Sequence, residues 1–266
     1  MIRVFIAGAT GWAGSALSKA VAASDKLQLV GALSRKHKGE DLAAVLGLST
    51  GEIPVFDHID TALAAIYFDV LVDYTSPEIG KKNIMAALGK GKNVVVGTSG
   101  LSNDDYAEIE QAANKNNASV LAVGNFSITV VLLQKFAEMA AKYISDFEII
   151  DYAQEDKIDS PSGTARELAH RLSKVQKPTV HVPDEKLVGD KESRGASLDG
   201  VRVHSVRLPG FVIAVETIFG LKDEKLTIRH DAGASATPYV KGALLAIEKV
   251  GTFKGLRRGL DTVMDF

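Results

Sequence analysis

Three glycines at three-residue spacing, placed directly after the first apolar run, constrain this chain more than any other feature. Arg3–Ala7 predicts a strand, and Gly8-Ala9-Thr10-Gly11-Trp12-Ala13-Gly14 joins it to a helix predicted over Ala13–Ala23. Glycines at such a junction permit a tight turn, let the backbone approach a ligand, and pack the helix against its strand. The helix N-terminus then directs unpaired N–H groups at an anion such as a pyrophosphate. Residues 8–13 are therefore interpreted as a dinucleotide-binding loop, with a merely structural turn as the alternative.

Short β-branched runs alternate with helix-length segments through the first half of the chain. The runs are apolar on both faces, which is typical of a parallel sheet covered by helices on both sides. The predicted strands are Arg3–Ala7, Leu27–Leu33, Asp69–Asp73, Asn93–Val96 and Ser119–Val123, and the helices between them are Ala13–Ala23, Pro77–Gly89 and Asp104–Asn114. This order predicts an α/β fold, a Rossmann-like doubly wound parallel sheet.

The pattern changes after residue 126. A helix is predicted over Ser127–Tyr143, with an apolar stripe that includes Phe136 and Tyr143. The β-rich runs that follow are separated by the turn signals Pro209-Gly210 and Lys222-Asp223-Glu224, which are typical of an antiparallel sheet. These runs are Phe147–Tyr152, Val201–Arg207, Phe211–Phe219 and Leu226–His230. We therefore predict a nucleotide-binding domain over 1–126 and a second α+β domain over 127–236, with a mixed or antiparallel sheet.

Composition excludes several classes of protein. The 266 residues include 31 Lys and Arg against 33 Asp and Glu, so nothing favours a nucleic-acid or membrane partner. The chain has no cysteine, which excludes disulfides, thiolate metal sites and a cysteine nucleophile, and we predict no metal site. No apolar run is long enough to span a bilayer, and the chain opens directly into a strand. We expect a cytoplasmic protein.

The end of the second predicted strand would lie beside the adenosine ribose of a bound dinucleotide. Sites for NAD usually place an acidic residue there, whereas an arginine accommodates the 2′-phosphate of NADP. This strand ends in Ser34-Arg35-Lys36, a basic cluster without an acid. We therefore predict that Ser34, Arg35 and Lys36 bind the cofactor and favour NADPH over NADH. A solvated charged loop is the alternative.

Two further loops follow strands of the same predicted sheet. Gly97-Thr98-Ser99-Gly100 comes after Asn93–Val96, and Gly124-Asn125-Phe126-Ser127 comes after Ser119–Val123. Loops at the carboxyl ends of parallel strands line the ligand crevice. Their small residues let a nicotinamide lie close to the backbone, so residues 97–99 and 124–126 are predicted cofactor contacts. Ordinary turns are the alternative.

A motif in the second domain, Lys157-Ile158-Asp159-Ser160-Pro161-Ser162-Gly163-Thr164-Ala165, leads into a helix predicted over Arg166–Ser173. A Ser-Gly-Thr turn before a helix leaves backbone N–H groups and a hydroxyl pointing outward, which suits a carboxylate or phosphate. Lys157 beside that turn is a mobile cation and a potential proton donor. A capped helix start with a surface lysine is the alternative.

In order and spacing, these motifs resemble the dihydrodipicolinate reductase family over nearly the whole chain, and the Lys157–Ala165 block is the specific part. The resemblance implies NAD(P)H binding by the first domain. It also implies hydride transfer to a cyclic unsaturated dicarboxylate in lysine and diaminopimelate biosynthesis. Lys157 would be the catalytic lysine, and Gly163 and Thr164, with Ser162, would hold a substrate carboxylate. Residues 237–266 would return to the nucleotide domain, and residues 127–236 would also form the contacts of a homotetramer.

The chain departs from the family at the expected proton donor. The family usually has a His-His pair just upstream of the lysine, and these positions fall here on Ala153 and Gln154. Gln154 remains a predicted substrate contact, but neither side chain donates a proton near neutral pH. Glu155 and Asp156 would act as acids only if buried, so Lys157 is the simplest remaining donor.

A second departure lies nearer the C-terminus, where the family's Gly-Glu-His stretch aligns with Phe211–Glu216. Two alternatives therefore stay open. One is an imine reductase of the same fold with a different imino-acid substrate. The other is a catalytically silent NADPH-binding regulator.

Overall fold

The apolar runs of the first half form a seven-stranded parallel sheet in the computed structural model, which describes residues 1–266. Its strands are β1 (Ile2–Ala7), β2 (Leu27–Leu33), β3 (Val55–Phe56), β4 (Val70–Asp73), β5 (Asn93–Val96), β6 (Ser119–Ala122) and β12 (Gly255–Arg258). They are ordered β3-β2-β1-β4-β5-β6-β12, and all neighbours are parallel. The strand order reverses between β1 and β4, which is the switch point where such sheets bind ligands.

Helices between these strands bury their apolar sides against the sheet. They are α1 (Trp12–Ala22), α2 (Leu42–Leu46), α3 (Ile59–Ala65), α4 (Pro77–Gly89), α5 (Asn103–Lys115) and α8 (Thr237–Lys249). In the core, Ile84 of α4 and Ile109 of α5 pack with Leu71 and Val94 of the sheet. The predicted Rossmann-like sheet is confirmed.

The chain divides into two units, and each is described by itself. The first comprises Met1–Ile128 and Ala236–Phe266, and the second comprises Thr129–Ser235. The C-terminal segment belongs to the first unit because β12 pairs with β6 and α8 contacts α1. β3 and β12 were not predicted. β3 has two residues, and β12 reads Gly-Leu-Arg-Arg with two exposed arginines, so neither shows the apolar run of a buried strand.

The second unit contains a five-stranded mixed sheet covered on one face by helices. Its strands are β7 (Phe147–Ala153), β8 (Ala196–Leu198), β9 (Val201–Arg207), β10 (Ile213–Leu221) and β11 (Glu224–Ala232), and its helices are α6 (Ile128–Ala141) and α7 (Gly163–Val175). The order is β11-β10-β7-β9-β8, in which only β7 and β9 pair in parallel. Four short 3₁₀ helices complete the chain, at Asp184–Lys186, Lys191–Arg194, Val250–Thr252 and Leu260–Val263.

Only one of the two predicted turns joins strands that are neighbours in the sheet. β10 and β11 form a hairpin around Lys222-Asp223, where Asp223 has φ of 65° and Leu221 pairs with Glu224. By contrast, β9 and β10 are not neighbours, although Pro209-Gly210 connects them. β7 lies between them, and its alternating buried residues fill the centre of the sheet. The turn signal was correct, but a turn alone does not determine which strands pair.

The predicted apolar stripe of α6 was wrong at its two aromatic residues. Phe136 is 48% exposed and Tyr143 is 83% exposed, whereas Leu133 and Ala137 are buried against the mixed sheet. Ala140 of the predicted stripe is partly buried and packs against the same core. The spacing of apolar residues therefore did not by itself locate the buried face of this helix.

Candidate active site

The glycine loop follows β1 in a conformation that requires glycine. Gly8 has φ of +81°, and a Cβ there would lie 2.5 Å from the carbonyl oxygen of Tyr74. A Cβ on Gly14 would lie 2.0 Å from the carbonyl oxygen of Gly8. α1 has no side-chain cap and no acidic residue in its first turn, so its first N–H groups are available to an anion. Among the other predicted contacts, Ala9 is buried, Gly11 is the N-cap residue, and Trp12 and Ala13 begin the helix.

The structure brings the glycine loop together with the end of β2. Gly8, Ser34, Arg35 and Lys36 line a cleft of about 710 Å³. The hydroxyl oxygens of Thr10 and Ser34 lie 3.0 Å apart, which links the two loops. Arg35 and Lys36 are exposed and form no ion pair, so both cations are available to a phosphate at this end of the cleft.

The same cleft contains an acidic residue that was not predicted to lie there. Asp57 follows β3, and its carboxylate lies 2.5 Å from the ammonium of Lys38. The hydrogen bond from Lys38 holds the pKa of Asp57 below its ordinary value, so this carboxylate is charged at neutral pH. The position of Asp57 depends on the pairing of β3 with β2, and a two-residue strand leaves no sequence signal for that pairing.

Thr98 connects the loops that follow β4 and β5. Its hydroxyl donates to the carboxylate of Asp73 at 2.6 Å, and Asp73 is fully buried. The same carboxylate accepts bonds from the hydroxyl of Thr75 at 2.6 Å and from Asn83 Nδ2 at 2.8 Å. The Thr98 side chain is therefore occupied within the fold, which leaves its backbone as the part that can contact a cofactor.

Two aromatic rings lie behind the predicted nicotinamide loops. Tyr74 and Phe126 pack edge to face with centroids 5.6 Å apart, and a Cβ on Gly97 would lie 2.1 Å from the Tyr74 ring. Burial raises the pKa of Tyr74, whose ring also lines the cleft. Of the remaining predicted contacts, Ser99 and Gly124 are exposed, and the side chain of Asn125 accepts the N–H of Ser127 at 2.9 Å. Glycine is therefore required at position 97, because both rings pack directly against its backbone.

In the second unit, the chain turns directly after β7. The N–H of Lys157 donates to the carbonyl of Gln154 at 3.2 Å. Nζ of Lys157 lies 2.6 Å from a carboxylate oxygen of Asp159, with 30% of the lysine side chain exposed. Hydrogen bonding to Lys157, and to a lesser extent to the N–H of Gly163, lowers the pKa of Asp159. A carboxylate at this point is therefore stabilised by both the lysine and the start of α7.

Ser162 is placed differently from the prediction. Its hydroxyl donates to the buried carboxylate of Asp151 at 2.6 Å and accepts the N–H of Ala165 at 3.3 Å. Its own N–H donates to Asp151 at 2.8 Å. The expected outward-facing hydroxyl was wrong, because Asp151 lies beneath the loop and binds it. The N–H groups of Gly163 and Thr164 remain at the helix start, and a Cβ on Gly163 would meet no atom within 4 Å.

The positions of the family's histidine pair differ in environment. Ala153 is fully buried at the end of β7, whereas Gln154 is exposed. Glu155 and Asp156 are also exposed, so neither has the burial that a role as an acid required. Within this turn, Lys157 remains the candidate proton donor.

The first unit is a Rossmann sheet with a glycine-lined cleft, and the second places a lysine and a helix start beside one carboxylate. Together these features define a two-domain nucleotide-dependent oxidoreductase. Two family models extend this assignment over almost the whole chain. "Dihydrodipicolinate reductase, N-terminus" matches residues 2–126, and "Dihydrodipicolinate reductase, C-terminus" matches residues 129–264. The chain belongs to the dihydrodipicolinate reductase family and is an NAD(P)H-dependent oxidoreductase of that type.

Similar proteins support the same family over their full lengths. The 4-hydroxy-tetrahydrodipicolinate reductase of Bacillus pumilus is 38% identical over 266 residues, covering 99% of this chain and 98% of the relative. That of Geobacillus kaustophilus is 38% identical over 268 residues, covering 99% of each chain. The dipicolinate-bound dihydrodipicolinate reductase from Paenisporosarcina sp. TG-14 has a TM-score of 0.89 at 31% identity, covering 99% of this chain and 100% of the other.

The residues of the cleft fit the phosphates of NAD(P)H. The start of α1 has no side-chain cap and no acidic residue, and the exposed cations Arg35 and Lys36 line the same cleft as Gly8.

None of the helices combines the length and apolar character required to cross a bilayer.

Proposed function

We propose that the protein reduces a C=C or C=N bond conjugated with a carboxylate in a cyclic dicarboxylate, and that it prefers NADPH to NADH. Bound NAD(P)H supplies the hydride. The observation that carries the substrate class is Asp159, whose carboxylate is held by the Lys157 ammonium close to the start of α7. A substrate carboxylate placed there would be held by the same ammonium and would meet the N–H groups of Gly163 and Thr164.

The cofactor preference rests on charge at the end of β2. Arg35 and Lys36 carry two unpaired cations on the cleft that contains Gly8. The cleft does contain an acidic residue of the type that binds the ribose of NAD, which is Asp57. Its carboxylate, however, is already paired with the ammonium of Lys38. A 2′-phosphate is therefore favoured over a free 2′-hydroxyl.

In the second unit, the N–H groups of Gly163 and Thr164 bind one carboxylate of the substrate and orient the ring. Gln154, which is exposed at the turn, offers hydrogen bonds to the ring substituents. The ammonium of Lys157 donates its proton to the atom next to the reduced carbon, which is the nitrogen when the bond is an imine. Solvent then returns a proton to Lys157, since its side chain is partly exposed.

Three further properties belong to this proposal. Residues 1–126 with 237–266 act as the nucleotide-binding domain, and residues 127–236 act as the substrate-binding and oligomerisation domain. We propose a homotetramer built on the second domain, in agreement with exposed apolar side chains on its connecting segment, such as Val180 and Val188. The protein is assigned to the cytoplasm.

An assay with two substrate arms tests the proposal. Purified protein and NADPH are combined with freshly generated dihydrodipicolinate-pathway substrate, or with another cyclic imino acid, and NADPH oxidation is followed. We expect oxidation with the first substrate and inhibition by pyridine-2,6-dicarboxylate. Faster oxidation with the other imino acid would reassign the substrate, as the changed residues 153 and 154 allow. NADPH binding without oxidation in either arm would contradict the proposed reaction.

A further inference from the structure

A buried ion pair lies beneath the loop that carries Lys157. Asp151 of β7 and Arg207 of β9 are 2.7 Å apart, and their side chains are 1% and 15% exposed. The two strands are parallel neighbours, and Ala153 pairs with Arg207 in register. The pair therefore sits where β7 ends and the loop begins.

Arg207 binds the backbone of the loop as well as Asp151. One terminal nitrogen donates to the carbonyl of Asp159 at 2.8 Å and to the Asp151 carboxylate. The other donates to the carbonyls of Val206 at 2.9 Å and Asp151 at 3.3 Å. Asp159 is the residue whose carboxylate pairs with Lys157, so Arg207 fixes the backbone of the partner of this lysine.

Asp151 holds the other end of the same loop. Its carboxylate accepts both the N–H and the hydroxyl of Ser162, at 2.8 and 2.6 Å. Ser162 is the N-cap residue of α7, so this contact fixes the helix start whose N–H groups face the substrate carboxylate. One ion pair thus bridges the segment that presents Lys157 and the segment that presents Gly163 and Thr164.

We propose that Arg207, acting with Asp151, is a positioning residue that sets Lys157 at the correct distance from the N–H groups of Gly163 and Thr164. This inference rests on the proposed function. A buried ion pair is weak support for stability, because well-packed apolar side chains are often as stable. Four directed bonds from the two terminal nitrogens of Arg207 instead define a geometry, which a reaction requires within fractions of an ångström.

The test uses a double variant, Arg207→Met with Asp151→Asn. Arg207→Met alone would leave the Asp151 charge buried without a partner and destabilise the unit. In the double variant, the amide oxygen of residue 151 accepts only one of the two bonds that Ser162 donates to Asp151, and the donor to the Asp159 carbonyl is lost. Arg202→Met is the matched control, since Arg202 lies on the same strand and pairs with Asp184 away from the loop.

We expect the double variant to retain its thermal midpoint and its Kd for NADPH. Its affinity for pyridine-2,6-dicarboxylate and its kcat should each fall by about tenfold or more, the scale of one lost charge-assisted hydrogen bond. Amide hydrogen exchange over residues 157–164 should accelerate. Arg207→Lys should fall between wild type and the double variant, because one ammonium replaces only part of the planar donor set.

Wild-type diacid binding, kcat and exchange in a folded double variant would overturn the positioning role. Equal losses in Arg202→Met would overturn it too, since the effect would not be specific to the loop. If wild-type protein neither reduces the family's substrate nor binds the diacid, the proposed function fails. In that case, amide hydrogen exchange over residues 157–164 in the double variant is the measurement that still tests the positioning role.

Discussion

The two units present their binding groups in different ways. In the first, the contacts that we propose for the cofactor come largely from backbone at the carboxyl edge of the sheet, and close packing enforces that geometry. A side chain at Gly14 would collide with the Gly8 carbonyl, and one at Gly97 with the Tyr74 ring. In the second, the proposed carboxylate site also uses backbone N–H groups, but the proposed proton donor is a side chain.

This difference explains which parts of the family's pattern persist. A site made of backbone groups changes only when the loop itself changes, so the fold preserves the cofactor cleft. A proton donor is changed by one substitution, and Ala153 and Gln154 occupy the end of β7 and its turn without any break in the strand. We therefore expect ordinary cofactor binding combined with slow proton transfer.

Replacing Lys157 should have the largest effect and should leave the first unit untouched. Lys157→Ala removes both the cation and the proton donor, so kcat should fall by about 10²–10⁴, the usual contribution of a positioned acid. Lys157→Arg keeps the cation and should retain most diacid binding while losing kcat. Calorimetry should give an unchanged Kd for NADPH in both.

Lys142→Ala is the control, because Lys142 is an exposed lysine of the same unit. Diacid binding to Lys157→Ala at wild-type affinity would mean that the carboxylate site lies elsewhere.

Restoring histidines should separate the two positions of the missing pair. Ala153 is fully buried, so Ala153→His overpacks the site and should destabilise the protein by about 1–3 kcal/mol. Gln154 is exposed, so Gln154→His should leave the thermal midpoint unchanged and raise kcat. Steady-state kinetics and thermal melts measure both effects. A gain from neither the single nor the double histidine variant would show that more than the acid has changed.

The basic cluster of the first unit should affect cofactor choice alone. Replacing Arg35 and Lys36 together by alanine should weaken NADPH binding by about tenfold, since it removes charge-assisted contacts to the 2′-phosphate. NADH binding should be unchanged. Lys115→Ala serves as the control, because Lys115 is an exposed lysine of the same unit that does not line the cleft. Equal weakening of both cofactors, measured by calorimetry, would place the 2′-phosphate away from the cluster.

The smallest expected effect is a pH dependence specific to the second unit. His230 of β11 is 8% exposed, and burial lowers its pKa below the ordinary value of 6.5. The unfolded chain then binds the proton more tightly than the folded protein. Stability from neutral His230 is therefore complete above about pH 6.5 and declines as the pH falls towards the folded pKa. His230→Gln should flatten the decline in thermal midpoint between about pH 7.5 and 5.5. An unchanged slope would contradict this assignment.

Most of the first sheet could be predicted because buried parallel strands are apolar on both faces. β2 and β5 were predicted with their observed ends. β3 could not be predicted, because pairing with β2 rather than local pattern makes it a strand. The position of β7 between β9 and β10 could not be predicted either, because it also depends on strand pairing and not on the local turn signal.

The residues of the candidate site were likewise predicted only where the signal is local in sequence. Motif spacing located the glycine loop, Lys157 and the start of α7, since each is local in sequence. Asp57, Tyr74 and Arg207 were missed because their positions depend on contacts between distant segments. Ser162 was found but misoriented, because the partner that turns its hydroxyl inward, Asp151, lies on the preceding strand.

The central claim is that the cofactor site is ordinary for the family, whereas the proton donor differs from the family's histidine pair. The most direct test measures kcat on the family's substrate for this protein beside the Bacillus pumilus reductase, with both enzymes saturated with NADPH. We expect similar Kd values for NADPH and a kcat lower by about 10²-fold or more if the relative uses a histidine acid. Equal kcat values would contradict the account, because the residues at 153 and 154 would then be irrelevant to proton transfer.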